Sequence, residues 1–272
     1  MNPRRTWCIA LAILSGSHMG CAGSLAVQEG DVEAARDARA APPARTRGAI
    51  VRSHGFTLPV AFWRFEEGLS NTAGDLSGHG NTGTLVGAAW SSDAPPVATD
   101  RYALAFDGIG YVSVTPSPSL TLASSLTLAA WIKPTDPTAG GTGATLGVLT
   151  QARPSGGGGY RLGVEGGSAN FGMNNDRWNC SLSSATKLVA KRWTHVAATY
   201  NGATMKIYVD GALDGMSACA HGDLLPSRRP IFIGRELDVP GWRLFEGLID
   251  EVLVYDTALD DEDVRTIFDG HR

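Results

Sequence analysis

Short apolar or alternating runs, separated by turn residues, fill the chain from residue 59 onward. In one of them Met205, Ile207 and Val209 take every second position, with Lys206 and Tyr208 between them. This two-residue period is typical of a β-strand that buries one face. Similar strand-like runs cover residues 60–65, 102–106, 111–114, 126–132, 193–200, 230–234 and 248–255.

Glycine follows Asn or Asp at three places between these runs, at residues 107–108, 201–202 and 210–211. Such pairs accept the positive φ angles of two-residue hairpins, so they predict tight turns between antiparallel strands. The 34 glycines have no collagen-like period and suit a fold with many turns. The pattern therefore predicts an all-β fold, an antiparallel two-sheet β-sandwich (jelly roll).

Only the C-terminal end is predicted to be helical. Asp260 or Asp261 can cap a helix there, and Gly270 can end it. Val264 and Phe268 lie on one apolar stripe between these ends. We therefore expect one short C-terminal helix beside the strands.

The first 22 residues predict a secretory signal peptide. Arg4 and Arg5 precede a short apolar run at residues 7–14, and small residues follow it. Cleavage before Cys21 would give a lipoprotein with a lipid on this sulfur, whereas ordinary cleavage would fall after Ala22 or Gly23. The expected location is outside the cytosol, as a cell-envelope lipoprotein or a secreted protein.

Residues 23–57 mix charges with alanine and proline and have no apolar period, which predicts a disordered linker before a domain at 58–272. The 272 residues are 43% hydrophobic and carry a net charge of −4. This acidic balance argues against nucleic-acid binding, which needs a basic surface. No apolar run reaches the ~20 residues of a bilayer-spanning helix, so membrane contact is expected only through a possible lipid anchor.

The cysteines also bear on the compartment. Cys180 and Cys219 can form a disulfide in a chain that leaves the cytosol. This pairing leaves Cys21 as an odd thiol and so favours its lipidation. Two free thiols or a zinc site are the alternatives, but zinc would need more closely spaced ligands than His195 and His221 supply.

Eight short motifs follow one another along the domain. They are WRFEEG at 63–68, DLSGHGN at 75–81, ALAFDG at 103–108, LTLAAWIKP at 126–134, RWTHVAATY at 192–200, IYVDG at 207–211, IGR at 233–235 and FEGLIDEV at 245–252. In this order they resemble the laminin-G-like jelly roll of the concanavalin A-like lectin/glucanase superfamily, in its bacterial extracellular form. The resemblance covers residues 59–272 and implies two antiparallel sheets, one of them concave. Lectins, adhesion modules and hydrolases share this fold, so the resemblance leaves the function open.

A calcium site is one expectation from the loop at residues 75–81. Asp75, Ser77 and Asn81 could turn oxygen atoms toward a hard cation. In the proteins that this chain resembles, the loop meets the aspartate of the GLIDE strand, here Asp250, around a structural calcium ion. The alternative is an Asx-turn in which Asp75 accepts hydrogen bonds from its own backbone.

Catalysis is not expected. Glycoside hydrolases need two carboxylates that face the scissile bond, and the nearest acids here, Asp250 and Glu251, point to opposite faces of a strand. No catalytic residue is predicted. A divergent glycoside hydrolase or polysaccharide lyase is the competing hypothesis, and a carboxylate pair on the concave face would favour it.

Ligand binding is the remaining chemistry. Sugar rings stack on exposed aromatic side chains beside groups that bind hydroxyls. The candidate ligand-binding residues in loop-rich segments are Tyr160, Asn174, Asn175, Asp176, Trp178 and Trp242. Trp178 could instead pack against the disulfide. The sequence therefore predicts a non-catalytic extracellular recognition module for a glycan or protein ligand at the cell envelope, with a passive structural domain as a further alternative.

Overall fold

A computed structural model describes residues 57–270 apart from 98, 142, 152–157, 175–177 and 237–243. The predicted signal peptide, Cys21 and almost the whole predicted linker lie outside the described residues, as do Asn175, Asp176 and Trp242. In the part described, none of the helices is long and apolar enough to cross a membrane.

Sixteen strands form within the described residues. Their bounds are β1 Ala61–Trp63, β2 Thr72–Ala73, β3 Gly83–Val86, β4 Ala89–Ser91, β5 Ala103–Asp107, β6 Tyr111–Val114, β7 Leu126–Pro134, β8 Leu146–Thr150, β9 Gly159–Glu165, β10 Ser168–Asn174, β11 Asn179–Lys187, β12 Thr194–Tyr200, β13 Thr204–Val209, β14 Ala212–Ala218, β15 Ile231–Ile233 and β16 Glu246–Tyr255. A 3₁₀ turn at Pro118–Leu120 and the helix α1 at Asp261–Gly270 complete the fold.

The strands form two antiparallel sheets, which confirms the predicted sandwich. The first sheet has the order β14-β13-β12-β7-β16-β5-β4, with β1 also paired to β16. The second sheet has the order β11-β10-β9-β8-β15-β6-β3-β2. The core lies between the sheets, where Met205 and Ile207 of β13 pack with Leu162 and Val164 of β9 in one buried cluster.

The outer face of the first sheet is covered by α1. Asp260 caps this helix, because its Oδ1 accepts the backbone N–H groups of Glu262 at 3.0 Å and of Asp263 at 2.9 Å. Val264 packs against Tyr208, which is fully buried. The alternation in β13 therefore does not leave Tyr208 in solvent, because the helix covers the second face of the strand.

The predicted turns differ in their outcome. Asp210 and Gly211 form the expected two-residue hairpin, with φ angles of 48° and 74° between the paired residues Val209 and Ala212. The hairpin at 201–202 is longer, because its flanking strands pair at Tyr200 and Met205. The pair at 107–108 is not a hairpin, since β5 belongs to the first sheet and β6 to the second.

The disulfide between Cys180 and Cys219 is present, as predicted. Cys180 lies on β11, an edge strand of the second sheet, and Cys219 directly follows β14, an edge strand of the first sheet. The bond therefore joins the two sheets along one side of the sandwich.

Candidate functional site

The structure separates the predicted ligand-binding residues. Tyr160 points into the core between the sheets and is 2% exposed, so the prediction that it contacts a ligand is wrong. Trp178 stacks on the ring of His221, with 5.0 Å between ring centroids, and packs against the core. Asn174 is half-buried at the end of β10. Of these three residues, only Asn174 has the outward position that a ligand contact on a sheet face requires.

The Asp75 carboxylate closes a turn. Its Oδ1 accepts the backbone N–H groups of Phe62 at 3.0 Å and Ser77 at 2.9 Å, and its Oδ2 accepts the Asn81 N–H at 2.8 Å and the Ser77 hydroxyl at 2.8 Å. Burial tends to raise the pKa of Asp75, but the hydrogen bonds from Asn81, Phe62 and Ser77 hold it below its usual value. The side-chain amide of Asn81 donates to the carbonyl oxygen of Val60 at 2.8 Å. These groups form the Asx-turn that the sequence also allowed.

Asp250 lies in a different group of acids. It is 0% exposed, and its charged neighbours are Asp100, Glu251 and Glu66. Burial and then repulsion from Asp100 raise the pKa of Asp250 to about 10, and burial raises the pKa of Asp100 to about 6. Within the described residues, the Oδ2 atoms of Asp250 and Asp100 are both buried and have no hydrogen-bond partner. Buried carboxylate oxygens of this kind favour either protons or a hard cation.

A strained bulge places these acids together. Glu251 has a φ angle of 49°, and the pairing of β16 with β7 changes register between Asp250 and Leu253. Arg64 binds the cluster from one side, at 2.6 Å from Asp100 Oδ1 and 2.9 Å from Glu251 Oε1. One guanidinium faces several carboxylates, so the cluster keeps a negative balance when its acids are ionised.

The described residues contain one group of three metal-type ligands within 4.8 Å of one another, namely Cys180, Cys219 and His221. Both sulfur atoms belong to the disulfide. They are therefore not zinc ligands in this oxidised state. No three carboxylates in the described chain converge to the same extent.

A second polar group lies on the outer face of the second sheet. Leu149, Leu162 and Phe171 point into the core, so the residues that follow each of them point outward. One row of paired residues across this outer face is Ser113, Phe232, Thr150, Arg161, Gly172 and Ser181. The next row contains Gly147, Gly163, Asn170 and Ser183. Polar residues and glycines thus replace large side chains across four neighbouring strands.

Glycine at position 172 makes room for the guanidinium of Arg161. A Cβ atom at Gly172 would lie 2.7 Å from Arg161 Nε and 2.9 Å from its Cζ. The guanidinium therefore lies against the backbone of β10, where any larger residue would displace it. This contact fixes the direction in which Arg161 points.

Glu236 reaches the same group from a crossing segment. A Cβ atom at Gly147 would lie 2.4 Å from both the carbonyl carbon of Arg235 and the backbone nitrogen of Glu236, so this segment lies directly on β8. The carboxylate of Glu236 is 3.6 Å from Arg161 Nη1 and is 4% exposed as a residue. Burial raises the pKa of Glu236, while the Arg161 charge lowers it and the nearby Glu165 raises it further.

Five residues in this region carry buried polar atoms that have no hydrogen-bond partner in the described part of the protein. They are Thr150 (Oγ1), Arg161 (Nε), Asn170 (Oδ1), Asn174 (Oδ1) and Glu236 (Oε2), and we call them the outer-face cluster. Leaving one such group without a partner costs about 1–3 kcal/mol, and native proteins contain few of them. Their concentration on one sheet face makes this face the candidate binding site.

Access to the cluster is from one side. The Arg161 side chain is 22% exposed, Asn174 is half-buried, and the neighbouring Ser181 is exposed. Thr150, Asn170 and Glu236 are buried behind them. A ligand would meet Arg161 and Asn174 first, while the buried members position these two and set the local charge.

An aromatic pair borders the cluster. Tyr111 and Phe232 stand edge to face with 5.7 Å between ring centroids, and the Arg235 guanidinium lies 4.7 Å from the Tyr111 centroid and 5.3 Å from that of Phe232. Phe232 pairs directly with Thr150 of the cluster. The outer face thus joins hydrogen-bonding groups to a half-exposed aromatic ring, that of Tyr111.

Comparison with family sequence profiles gives one match. A laminin-G profile described as the concanavalin A-like lectin/glucanases superfamily matches residues 106–265. The chain belongs to this superfamily. The matched segment of this superfamily member includes every residue of the outer-face cluster and also Asp250. A search of curated proteins finds no match.

Solved structures with the same fold are binding domains and an accessory domain. Domain 4 of AbnA, a GH43 extracellular arabinanase from Geobacillus stearothermophilus, was solved with arabinotriose; it is 17% identical, with a TM-score of 0.60 and coverage of 79% of this chain and 99% of that one. The binding domain of Paraclostridial Mosquitocidal Protein 1 is 15% identical, with a TM-score of 0.60 over 77% of this chain and 51% of that one.

A third similar structure is the ligand-binding domain of botulinum neurotoxin serotype D in complex with N-acetylneuraminic acid. It is 16% identical, with a TM-score of 0.55 over 78% of this chain and 51% of that one. The superfamily member described here thus spans about half the length of the toxin chains that it matches. At these identities the likeness establishes the fold.

Proposed function

We propose that this superfamily member is an exported, non-catalytic recognition module that binds a glycan at the outer-face cluster. The observation that carries the proposal is the set of five unmatched polar groups on one sheet face of the described chain. A sugar supplies many hydroxyls that both donate and accept hydrogen bonds, so it can satisfy such a set at once. The adjacent Tyr111 ring offers an apolar surface for a sugar face.

The similar structures support a binding role. Domain 4 of AbnA, which the match covers almost completely, was solved with arabinotriose, and the toxin domain, of which the match covers 51%, was solved with N-acetylneuraminic acid. The mosquitocidal protein domain is also named as a binding domain. A glycan ligand is therefore the form of recognition that we propose for this chain, and a protein ligand is the alternative outcome of the test.

The test is a glycan array probed with the purified protein, followed by titration of the best ligand by calorimetry. Arg161→Met removes the guanidinium and keeps the aliphatic stem, so it should weaken binding by about tenfold or more. Thr84→Ala, exposed on β3 of the same sheet, is the matched control and should bind like the parent. No bound glycan, or equal binding by both variants, would reject the proposal, and capture of a protein ligand at this face would replace it.

Glycoside hydrolysis is the second candidate, and one observation favours it. Glu236 is buried with a raised pKa, as a general acid would be, and Glu165 is a second acid beside it. However, Glu165 Oε1 accepts the Gly143 N–H at 3.0 Å and its Oε2 accepts the Thr145 hydroxyl at 3.3 Å, so this carboxylate holds a loop. A reducing-sugar assay on the glycans that bind in the array distinguishes the two candidates. Product formation that is lost in Glu236→Gln would favour the enzyme.

A structural calcium ion is part of the proposal, with a different ligand set from the loop of Asp75. Asp250 and Asp100 offer buried carboxylate oxygens with no hydrogen-bond partner in the described residues, and calcium prefers such hard oxygen ligands. When bound, the ion would supply positive charge to the acid cluster and hold β16 against the segment that carries Asp100. This role is structural and separate from the outer-face cluster.

Export rests on two supports. The disulfide between Cys180 and Cys219 is typical of proteins in oxidising compartments, and the predicted signal peptide gives the route. We further propose that Cys21 carries a lipid anchor, which would keep the module at the cell envelope. Mass spectrometry of the mature N-terminus tests this, and an unmodified N-terminus after residue 21 would contradict it.

A further inference from the structure

We propose that Glu236 makes the outer-face cluster select uncharged, hydroxyl-rich sugars and reject anionic ones. This inference rests on the proposed glycan-binding function and names the class of ligand. It starts from the charges around Arg161, the one basic residue of the cluster.

The positive charge of Arg161 is balanced by the buried carboxylate of Glu236. Its Nη1 is 3.6 Å from a carboxylate oxygen of Glu236, and Glu165 is close enough to Glu236 to repel it. Arg161 therefore has one carboxylate beside it, and Glu165 adds negative charge near that carboxylate. The nearby carboxylate charge cancels much of the attraction between Arg161 and an anionic sugar. The affinity for a neutral sugar does not depend on this attraction.

The atoms without hydrogen-bond partners also favour uncharged ligands. Asn170, Asn174 and Glu236 each present an unmatched acceptor oxygen, whereas the unmatched donors are Arg161 Nε and the Thr150 hydroxyl, which can also accept. A ligand that completes this set must donate more hydrogen bonds than it accepts. Sugar hydroxyls can donate, but an ionised carboxylate or sulfate group can only accept.

Burial explains why the charge balance is stable. Glu236 is held in place because its backbone lies on Gly147, and Arg161 is held in place because its guanidinium lies on Gly172. Arg161 can turn away only by leaving its contact with Gly172, and the contact with Gly147 fixes the backbone from which Glu236 extends. Glu236 is therefore a positioning and specificity-determining residue that acts through Arg161, and Arg161 is the residue that the ligand meets.

The experiment compares two ligand classes on one array. Arabino-, xylo- and cello-oligosaccharides are the neutral probes, and N-acetylneuraminic acid-capped glycans and oligogalacturonates are the anionic probes. The parent should bind neutral probes at least about tenfold more tightly. Glu236→Gln removes one negative charge with little change in shape, and it should raise affinity for the anionic probes by about fivefold or more, with a new dependence on salt.

Two further variants serve as a second test and as a control. Glu165→Gln should shift the ratio of anionic-probe to neutral-probe affinity in the same direction. It therefore provides the test if Glu236→Gln fails to fold. Glu262→Gln makes the same charge change on exposed α1 and should leave the ratio unchanged. Binding of anionic probes by the parent as tightly as neutral probes, or an unchanged ratio in Glu236→Gln, would overturn the inference. Absence of binding to either class would instead reject the proposed function, and the inference with it.

Discussion

The two glycines beneath the outer-face cluster should respond very differently to alanine. Neither Gly172 nor Gly147 has a positive φ angle, so the space around the new Cβ atom decides the outcome. At Gly172 this atom would meet the flexible end of Arg161, at 2.7 Å from Nε. At Gly147 it would meet backbone, at 2.4 Å from the nitrogen of Glu236.

These distances set the expected magnitudes. In Gly172→Ala the guanidinium can swing away by about 1 Å, and alanine stabilises a strand by roughly 0.5–1 kcal/mol relative to glycine, so the free energy of unfolding should change by less than ~1 kcal/mol. In Gly147→Ala the new Cβ atom meets the backbone of Arg235 and Glu236, which cannot move aside as a flexible side chain can. The resulting overpacking should lower the free energy of unfolding by about 1–3 kcal/mol. For a domain of this size, ~1 kcal/mol corresponds to a shift in Tm of about 2–4 °C.

The assay is urea denaturation of both variants, paired with glycan titration. Gly172→Ala should unfold like the parent yet bind glycan about tenfold more weakly, because Arg161 loses its position. Gly147→Ala should have its unfolding midpoint at a lower urea concentration than the parent. The reasoning is refuted if Gly172→Ala is destabilised as much as Gly147→Ala, or if it keeps the full affinity of the parent.

Three other predictions concern the frame. Replacing Cys180 and Cys219 together by serine should lower the free energy of unfolding by about 4 kcal/mol, the chain-entropy value for a separation of 39 residues, and a loss below ~1 kcal/mol in urea denaturation would contradict this. The pKa of Asp75 is lowered in the folded state, so its stabilising effect is present above the unfolded value of 3.8 and is lost as pH falls through the folded value. Asp75→Asn should therefore destabilise the protein at pH 7 by about 1–2 kcal/mol and progressively less in acid; a penalty that is independent of pH would show that the charge is not responsible. Calcium added after chelation should raise the Tm of the parent but not of Asp250→Asn, and an equal response of both would exclude Asp250 as a ligand.

Local sequence patterns predicted much of the frame. The hairpin at Asp210 and Gly211 followed from the φ angles that these residues accept, and the helix followed from Asp260 and one apolar stripe. The disulfide followed from the presence of Cys180 and Cys219 in a chain that is predicted to leave the cytosol. Each of these features depends on a few neighbouring residues or on chemistry that composition reveals, so no knowledge of distant contacts was needed.

The error at Tyr160 could have been avoided. Neighbouring residues of a strand point to opposite faces, so Tyr160 and Arg161 cannot both face a ligand. Leu162 and Val164 share the parity of Tyr160 and mark that face as the core. The same parity identifies Arg161 as the outward residue, which the pattern of aromatic residues alone did not select.

The rest of the site depends on contacts between distant segments. Glu236 reaches Arg161 only because its segment crosses Gly147, and no local pattern encodes that crossing. The same is true of the acid cluster, where a bulge at Glu251 brings Asp250 beside Asp100 instead of the loop of Asp75. Sequence motifs singled out Asp250 as a calcium ligand beside the loop of Asp75, but they could not name Asp100 and Glu66 as its charged neighbours.

The central claim is that a glycan contacts the outer-face cluster, and the side-chain Nε–H signal of Arg161 reports this contact directly. We would titrate ¹⁵N-labelled protein with arabinotriose and with the strongest array ligand, and follow this signal by NMR. The account predicts a saturable shift of the Arg161 Nε–H and of the Asn174 side-chain amide, and in Gly172→Ala saturation should require about tenfold more ligand. Saturable binding that shifts signals on the first sheet while leaving Arg161 and Asn174 unchanged would contradict it.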